Sequence, residues 1–170
     1  MKSIPGGIGG ILAILSYVNF TFSIPINTPN AYMLSINRER AQLAEQFNIS
    51  NMNKLIWSGA LEQRARNATC PTTDQNTFRY YLKVTNPDGS TRIPLENTHF
   101  SHLHGLIVAQ PLQKTVGCNF DFQCDLENSK VQGLCLVGPL NTASMDDFKR
   151  GKPGSECGMM KNEGGLCTDN

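Results

Sequence analysis

The sequence predicts an α+β protein in which helices pack against a small antiparallel sheet that disulfides hold together. Three observations lead to this prediction. Segments with helical periodicity and capping residues come early in the chain, segments rich in aromatic and β-branched residues come later, and the 170 residues include six cysteines. Helices followed by strands, rather than a regular alternation of the two, are typical of the α+β class. The length fits one domain of ordinary size.

Residues 1–23 have the pattern of a secretory signal peptide. Lys2 supplies a positive charge, residues 8–18 are apolar, and Thr21 to Ser23 form a small-x-small cleavage pattern. A membrane anchor is the alternative, which the short glycine-broken apolar segment and the following Pro25 disfavour. We therefore expect a secreted, extracellular protein that does not insert into membranes.

The overall charge and the cysteines narrow the classes of function. A net charge of +1 with a pI near 7.6, and no basic stripe, argues against a nucleic-acid partner. An even number of cysteines in an exported chain predicts a disulfide framework, although the spacing alone leaves many pairings open. A zinc site built from cysteines is the weaker alternative, since no C-x-x-C pair occurs.

The first helix is predicted from Thr28 to about Phe47. Thr28 is a good N-cap, and Pro29 suits the first helical position. One side of this helix is apolar except for Arg40, which we expect at the helix edge with its stem packed and its charge in an ion pair. The residues of this stripe are Met33, Ile36, Arg40, Leu43 and Phe47.

The second helix is predicted to follow the extended segment 55–57, with Ser58 as its N-cap. Its inner face is narrow and made of mostly small residues at helical spacing, namely Leu61, Ala65 and Ala68. Cys70 comes just after the last turn, where a disulfide could fix the helix to a distant segment. Asn48 and Asn67 begin N-x-S/T sequons, and each is a predicted glycosylation site near a helix end.

Strands dominate the rest of the chain. Residues 78–85 and 91–93 are predicted to form a hairpin around the turn residues 86–90, and Pro94 marks an edge. The apolar run 106–109 is interpreted as a buried strand, with lipid contact as the alternative. A further strand is expected over 131–137, after a turn at 127–130. Gly158 to Gly165 is too rich in glycine to build a core.

All three histidines lie in one short run that is the best metal-binding candidate. In an extended segment, His102 and His104 project from the same face, which suits two imidazoles on one zinc ion. In a helix, Glu96, His99 and His102 share a face instead. Catalytic signatures such as G-x-S-x-G and H-E-x-x-H do not occur, and no catalytic residue is assigned.

Several motifs resemble the CAP superfamily of cysteine-rich secretory, antigen-five and pathogenesis-related proteins, whose domain is also called SCP. The segment from Trp57 to Cys70, with its Leu-Glu and two alanines, is similar to the family's second-helix signature. Asn37 to Arg40 resembles its Asn-x-x-Arg pattern, Thr115 to Cys118 its Val-Gly-Cys strand, and Phe148 to Pro153 its Tyr-x-x-Gly-x-Pro. The resemblance is strongest to the secreted venom-allergen-like branch common in worms.

The resemblance implies a fold, a domain organisation and a disulfide pairing. The fold would be a CAP-type α-β-α sandwich over residues 24–150, with a reduced middle at about 71–114 and a hinge-like tail at 151–170. The pairing that it implies is Cys70 with Cys124, Cys118 with Cys135, and Cys157 with Cys167.

The resemblance also implies where a metal site would lie, because intact CAP proteins hold two histidines and two glutamates around a cleft that takes a divalent metal. His99 fills one of these positions, or His104 does if residues are counted back from Cys118 without a gap. The first histidine has no counterpart, and no acid lies between Glu96 and Asp121 to supply the second glutamate. We therefore expect no cofactor, with zinc at this run as the alternative.

Taken together, these features predict a secreted, non-enzymatic binding module whose partners are extracellular or host proteins. The first alternative is a metal-binding protein or metal-dependent enzyme that uses the histidine run. The second is a carrier of small lipids or sterols, which the resemblance alone brings with it.

Overall fold

A computed structural model of the chain describes residues 28–70, 78–85, 91–92, 109–126, 129–140 and 144–169. The predicted signal peptide, the turn at 86–90, Pro94 and the histidine run lie outside the described residues.

Apart from Ala109, whose backbone is helical, the described residues form two helices, seven strands and one short 3-10 helix. In chain order these are α1 (Pro29–Phe47), β1 (Ile56–Trp57), α2 (Gly59–Arg66), β2 (Phe78–Thr85), β3 (Thr91–Arg92), β4 (Thr115–Leu126), β5 (Ser129–Gly138), the 3-10 helix Met145–Asp147, β6 (Lys161–Glu163) and β7 (Leu166–Thr168). None of the described helices is both long and apolar enough to cross a bilayer.

Five strands form one sheet in the order β1-β4-β5-β2-β3. The predicted hairpin is confirmed by the antiparallel pairing of β2 and β3, which brings Val84 opposite Arg92. The predicted antiparallel sheet is present in β2 to β5, and at one edge β1 adds to it in parallel with β4. A parallel pair needs a long crossover, and here the chain passes through α2, β2 and β3 before it returns as β4.

The helices begin where their caps predict. The Thr28 hydroxyl accepts from the Ala31 N–H at the start of α1, and the Ser58 hydroxyl accepts from the Leu61 N–H at the start of α2. The prediction that α2 includes Ala68 is wrong, because the helix ends at Arg66. Ala68 is only half-buried and packs against the core from beyond the last turn.

The sheet separates two apolar clusters, which makes the architecture an α-β-α sandwich. One cluster joins the inner face of α1 to Val116 and Val137, and the other joins Leu61 and Ala65 of α2 to the opposite face of the sheet. Gly117 makes the second contact close, since a Cβ there would lie 2.2 Å from the backbone nitrogen of Glu62. The small residue therefore lets α2 lie directly on β4.

An irregularity in β4 between Asn119 and Gln123 changes which face of the sheet its side chains occupy. In a regular strand, Phe120 and Phe122 would point to the same face. Here Phe120 packs on the α1 side, whereas Phe122 belongs to the cluster on the α2 side. One strand thus contributes an aromatic ring to each layer.

The C-terminal hairpin of β6 and β7 is attached to the core by backbone hydrogen bonds. Cys167 donates its N–H to the Met52 carbonyl at 2.7 Å and accepts from the Lys54 N–H at 2.7 Å. Leu166, just after the glycine-rich stretch, is buried in the α1 cluster. The glycines therefore form the turns, while the following residues add to the core.

Candidate functional site

The predicted metal ligands Glu96, His99, His102 and His104 lie outside the described residues, so the metal site stays a prediction. Within the described ranges, no group of three or more His, Cys, Asp or Glu side chains is placed to hold a metal ion. The first described residues after the histidine run, from Ala109 to Gln113, are held in place by buried polar side chains.

Arg40 is fully buried, so the prediction that it lies at the helix edge is wrong. Its Nε donates to the Asn53 carbonyl at 2.8 Å and its Nη1 to the Gln110 carbonyl at 3.1 Å. Its Nη2 lies 3.4 Å from the carbonyl oxygens of both Pro111 and Gln113. Burial lowers the pKa of Arg40 to about 9, which still leaves the guanidinium charged at neutral pH.

Two buried glutamines complete this anchor. Gln110 donates from Nε2 to the Asp147 carboxylate at 2.6 Å. The Gln113 amide pairs both ways with the backbone of Leu140, at 2.9 and 3.2 Å. Ala109, the one described residue of the apolar run 106–109, is buried but helical, so the strand prediction is wrong at that position. The chain that leaves the histidine run is therefore fixed at its first described turn.

Asn37, one turn before Arg40, holds the edge strand. Its side-chain amide donates to the Leu55 carbonyl at 2.9 Å and accepts from the Leu55 N–H at 2.8 Å, as a neighbouring strand would. This amide occupies the outer edge of the chain just before β1, where another strand could otherwise add. Asn37 and Arg40, the two named residues of the Asn-x-x-Arg pattern, thus both serve to dock α1.

A second buried polar group on α1 was not singled out from the sequence. Glu39 is only 6% exposed, and its carboxylate accepts a long 3.5 Å hydrogen bond from Ser35. Desolvation raises the pKa of Glu39 to about 7, against the opposing effects of Arg38 and of Ser35. The Tyr32 hydroxyl is also buried, and it has no hydrogen-bond partner. The detectable signal was helical spacing: residues 32, 35 and 39 share the buried side of α1.

The only Trp of the chain is held by an aromatic cluster and by a hydrogen bond to Glu62, which in turn pairs with Arg66. The Trp57 ring stacks on Phe120 with centroids 6.0 Å apart, and Tyr32 meets both rings edge-on. Its indole N–H donates to Glu62 at 2.7 Å, and Arg66 pairs with the same carboxylate at 2.8 Å. The hydrogen bonds from Arg66 and then from Trp57 lower the pKa of Glu62.

The six cysteines form the three disulfides Cys70–Cys124, Cys118–Cys135 and Cys157–Cys167, the pairing that the resemblance implies. The first joins the segment just after α2 to β4, and the second joins β4 to β5.

Both predicted glycosylation sites are at the surface. Asn48, the C-cap of α1, and Asn67, the C-cap of α2, are exposed. The two sequons differ at their third residue, since Ser50 is buried and donates to the Lys149 carbonyl at 3.1 Å, whereas Thr69 is exposed. Glycosylation at either asparagine stays a prediction.

This architecture defines the chain as a protein with the CAP fold, an α-β-α sandwich with a mixed sheet and three disulfides. The solved structures that it resembles are venom-allergen-like members of the CAP superfamily. No family model and no curated protein sequence matches the chain, so the likeness is one of structure.

Three of these structures illustrate the likeness. The hookworm platelet inhibitor has a TM-score of 0.59 at 16% identity, over 83% of this chain and 90% of that one. Na-ASP-1 has a TM-score of 0.57 at 18% identity, over 89% of this chain, which spans only 48% of Na-ASP-1. Manganese-bound Ac-ASP-7 has a TM-score of 0.52 at 17% identity, over 85% of this chain and 89% of that one. At these identities, what is shared is the fold.

Proposed function

We propose that this chain is an exported CAP-type protein that acts by binding extracellular or host proteins through its surface, without catalysing a reaction. The observation that carries the proposal is the likeness to the hookworm platelet inhibitor, which extends over 90% of that protein and which by its name acts on a host cell type. The signal-peptide pattern of residues 1–23 and the three disulfides are consistent with such a role outside the cell.

The polar groups buried in the described core support the same proposal. Arg40 donates hydrogen bonds to backbone carbonyls, and the side-chain amides of Gln113 and Asn37 pair with backbone peptide groups. These contacts hold segments in place and leave no pair of groups arranged as nucleophile and base among them. Contacts that fix these segments make the scaffold rigid, and a rigid scaffold allows a protein to present a preorganised binding surface.

The test is a binding assay with the oxidised protein secreted from a eukaryotic host. Labelled protein is offered to platelets and to a panel of immobilised plasma and extracellular-matrix proteins, with reduced and unfolded protein as the control. We expect saturable binding that unlabelled folded protein competes away. Binding no greater than that of the unfolded control, across the whole panel, would contradict the proposal.

The alternative function is metal binding through the histidine run, and one observation favours it: Ac-ASP-7, which shares the fold, was solved with manganese bound. His99, His102, His104 and Glu96 are the residues that would hold a divalent metal here. Native mass spectrometry of the secreted protein with zinc or manganese offered decides between the two. One retained metal ion that His102→Ala and His104→Ala release would support the alternative, whereas unchanged metal-free mass would reject it.

A further inference from the structure

A depression lies where the edge strand β1 meets the C-terminal hairpin. Its lining consists of Asn53, Lys54, Ile56, Lys114, Met160, Cys167 and Asp169. Together with the neighbouring exposed residues Met159 and Lys161, the side chains of Lys54, Ile56, Lys114 and Met160 form what we call the seam surface.

An unsatisfied hydrogen-bond acceptor lies beside this depression. The side-chain oxygen of Asn53 is buried without a partner, and the residue is only 3% exposed. Both backbone groups of Asn53 already have hydrogen-bond partners, since its N–H donates to the Pro111 carbonyl and its carbonyl accepts from Arg40. A buried acceptor left unpaired costs stability, so an occupant that donates a hydrogen bond there would be favoured.

The seam surface and the two carboxylates beside it carry one excess positive charge, since Lys54, Lys114 and Lys161 outnumber Glu163 and Asp169 by one. Lys54 pairs with Glu163 at 2.8 Å and Lys114 pairs with Asp169 at 3.3 Å, both at exposed positions. Lys161 is two residues before Glu163 in β6, which puts it on the same side of that strand, and it has no acidic partner among the described residues. An occupant with negative charge therefore complements this surface.

The same surface exposes apolar side chains on a rigid support. Ile56 is 51% exposed on β1, and Met159 is 99% exposed in the loop that the Cys157–Cys167 disulfide closes. Met160, half-buried beside it, lies 3.8 Å from Lys114 Nζ through its sulfur. Methionines on binding surfaces adapt readily to an apolar side chain of a partner.

We propose that the seam surface binds an acidic segment of a partner protein, which places one apolar side chain against Ile56, Met159 and Met160. The segment donates a backbone N–H to the Asn53 side-chain oxygen, which turns from its buried position toward the depression to accept it. This inference rests on the proposed function, because it names the surface through which the chain would bind. A free phosphate fits less well, since it has no apolar group to place against Ile56 and Met160.

The test is a nuclear magnetic resonance titration of the isotope-labelled, oxidised full chain. The probe is a short synthetic peptide rich in glutamate with one central leucine. Comparison probes replace its glutamates with glutamine or its leucine with serine, and inorganic phosphate is a further comparison. We expect saturable shifts confined to residues 53–57, Lys114 and the C-terminal hairpin, which weaken with every comparison probe.

Two variants at highly exposed positions test the surface without disturbing the fold. Lys161→Glu and Met159→Ser should each weaken peptide binding by about fivefold, as expected for exposed contacts. The matched controls are Lys130→Glu, at the far end of β5, and Leu34→Ser, 76% exposed on α1, and both should bind as the wild type does. Shifts that are absent, or equal losses in the seam and control variants, would overturn the inference.

The same variants separate this inference from the proposed function. If the wild type binds a panel protein and the seam variants bind it equally well, the surface is wrong while the binding role stands. If the wild type binds no panel protein, the binding role fails, and the peptide titration still decides whether the seam surface recognises an acidic segment.

Discussion

Arg40 donates from its Nε to the backbone carbonyl of Asn53 at 2.8 Å, although the two residues belong to different elements of the chain. The Asn53 N–H in turn donates to the Pro111 carbonyl at 2.9 Å, whose oxygen also faces the Arg40 guanidinium. One buried cation therefore joins α1 to two segments that are separated by more than fifty residues in sequence. Carbonyl oxygens stabilise such a charge only while the geometry is kept.

Replacement of Arg40 should be among the most destabilising changes in the chain. Arg40→Met removes the charge and leaves several buried carbonyls without donors, so we expect the free energy of unfolding to fall by about 3–5 kcal/mol. Chemical denaturation measures this loss. Arg38→Met is the matched control, because Arg38 is exposed on the same helix. Equal losses in the two variants would show that the buried contacts contribute little.

Glu39 should make stability depend on pH near neutrality. Its pKa is raised from 4.5 to about 7 in the folded chain, so the native state binds this proton more tightly than the unfolded state. The resulting stabilisation is complete below pH 4.5 and is lost as the pH rises to about 7, by about 3 kcal/mol.

Unfolding measured at several pH values for wild type and Glu39→Gln isolates this effect, since the amide cannot ionise. Stability of the wild type relative to Glu39→Gln should fall between pH 4.5 and about 7. Glu45→Gln, at an exposed position on the same helix, should leave the wild-type dependence intact. A pH-independent difference between wild type and Glu39→Gln would refute the raised pKa.

Trp57 provides a spectroscopic reporter because it is the single Trp. Glu62→Ala removes the acceptor of its indole N–H, so we expect an altered emission maximum and a loss of about 1 kcal/mol in stability. Glu62→Gln keeps an acceptor and should retain most of the wild-type spectrum. Because its pKa is lowered, ionised Glu62 adds stability above pH 4.5, and this is lost as the pH falls further. An unchanged emission in Glu62→Ala would argue against this contact.

The Cys70–Cys124 and Cys157–Cys167 disulfides should differ in how much they stabilise the folded chain. Cys70 and Cys124 are 54 residues apart, whereas Cys157 and Cys167 are 10 apart. Replacing both cysteines with serine should cost about 4 kcal/mol for the first pair and about 3 kcal/mol for the second, if the loop entropy of the unfolded chain dominates. Melting of the two double variants compares them, and a larger loss for the C-terminal pair would contradict the loop-entropy account.

The local elements could be predicted because their signals are local. Thr28 and Ser58 mark helix starts through their own hydroxyls, and the hairpin of β2 and β3 follows from its strand and turn residues. The disulfide pairing came from the resemblance, since spacing alone left it open. Features set by distant contacts were harder to predict.

Arg40 shows why features that depend on tertiary contacts could not be predicted from the sequence. Helical periodicity places it on the inner face but does not reveal that carbonyls about 70 residues away will surround it. The parallel pairing of β1 likewise depends on where β4 returns, and the raised pKa of Glu39 depends on burial. Sequence periodicity identifies a buried side, whereas tertiary packing decides what a polar residue on that side meets.

The most direct test of the central claim is to measure partner binding by the secreted, oxidised chain in the presence and absence of a metal chelator. A non-enzymatic binding module that works through its protein surface predicts the same affinity in both conditions. Binding that is lost on chelation, and that added zinc restores in the wild type but not in His102→Ala, would contradict the account and place the histidine run at the centre of the function.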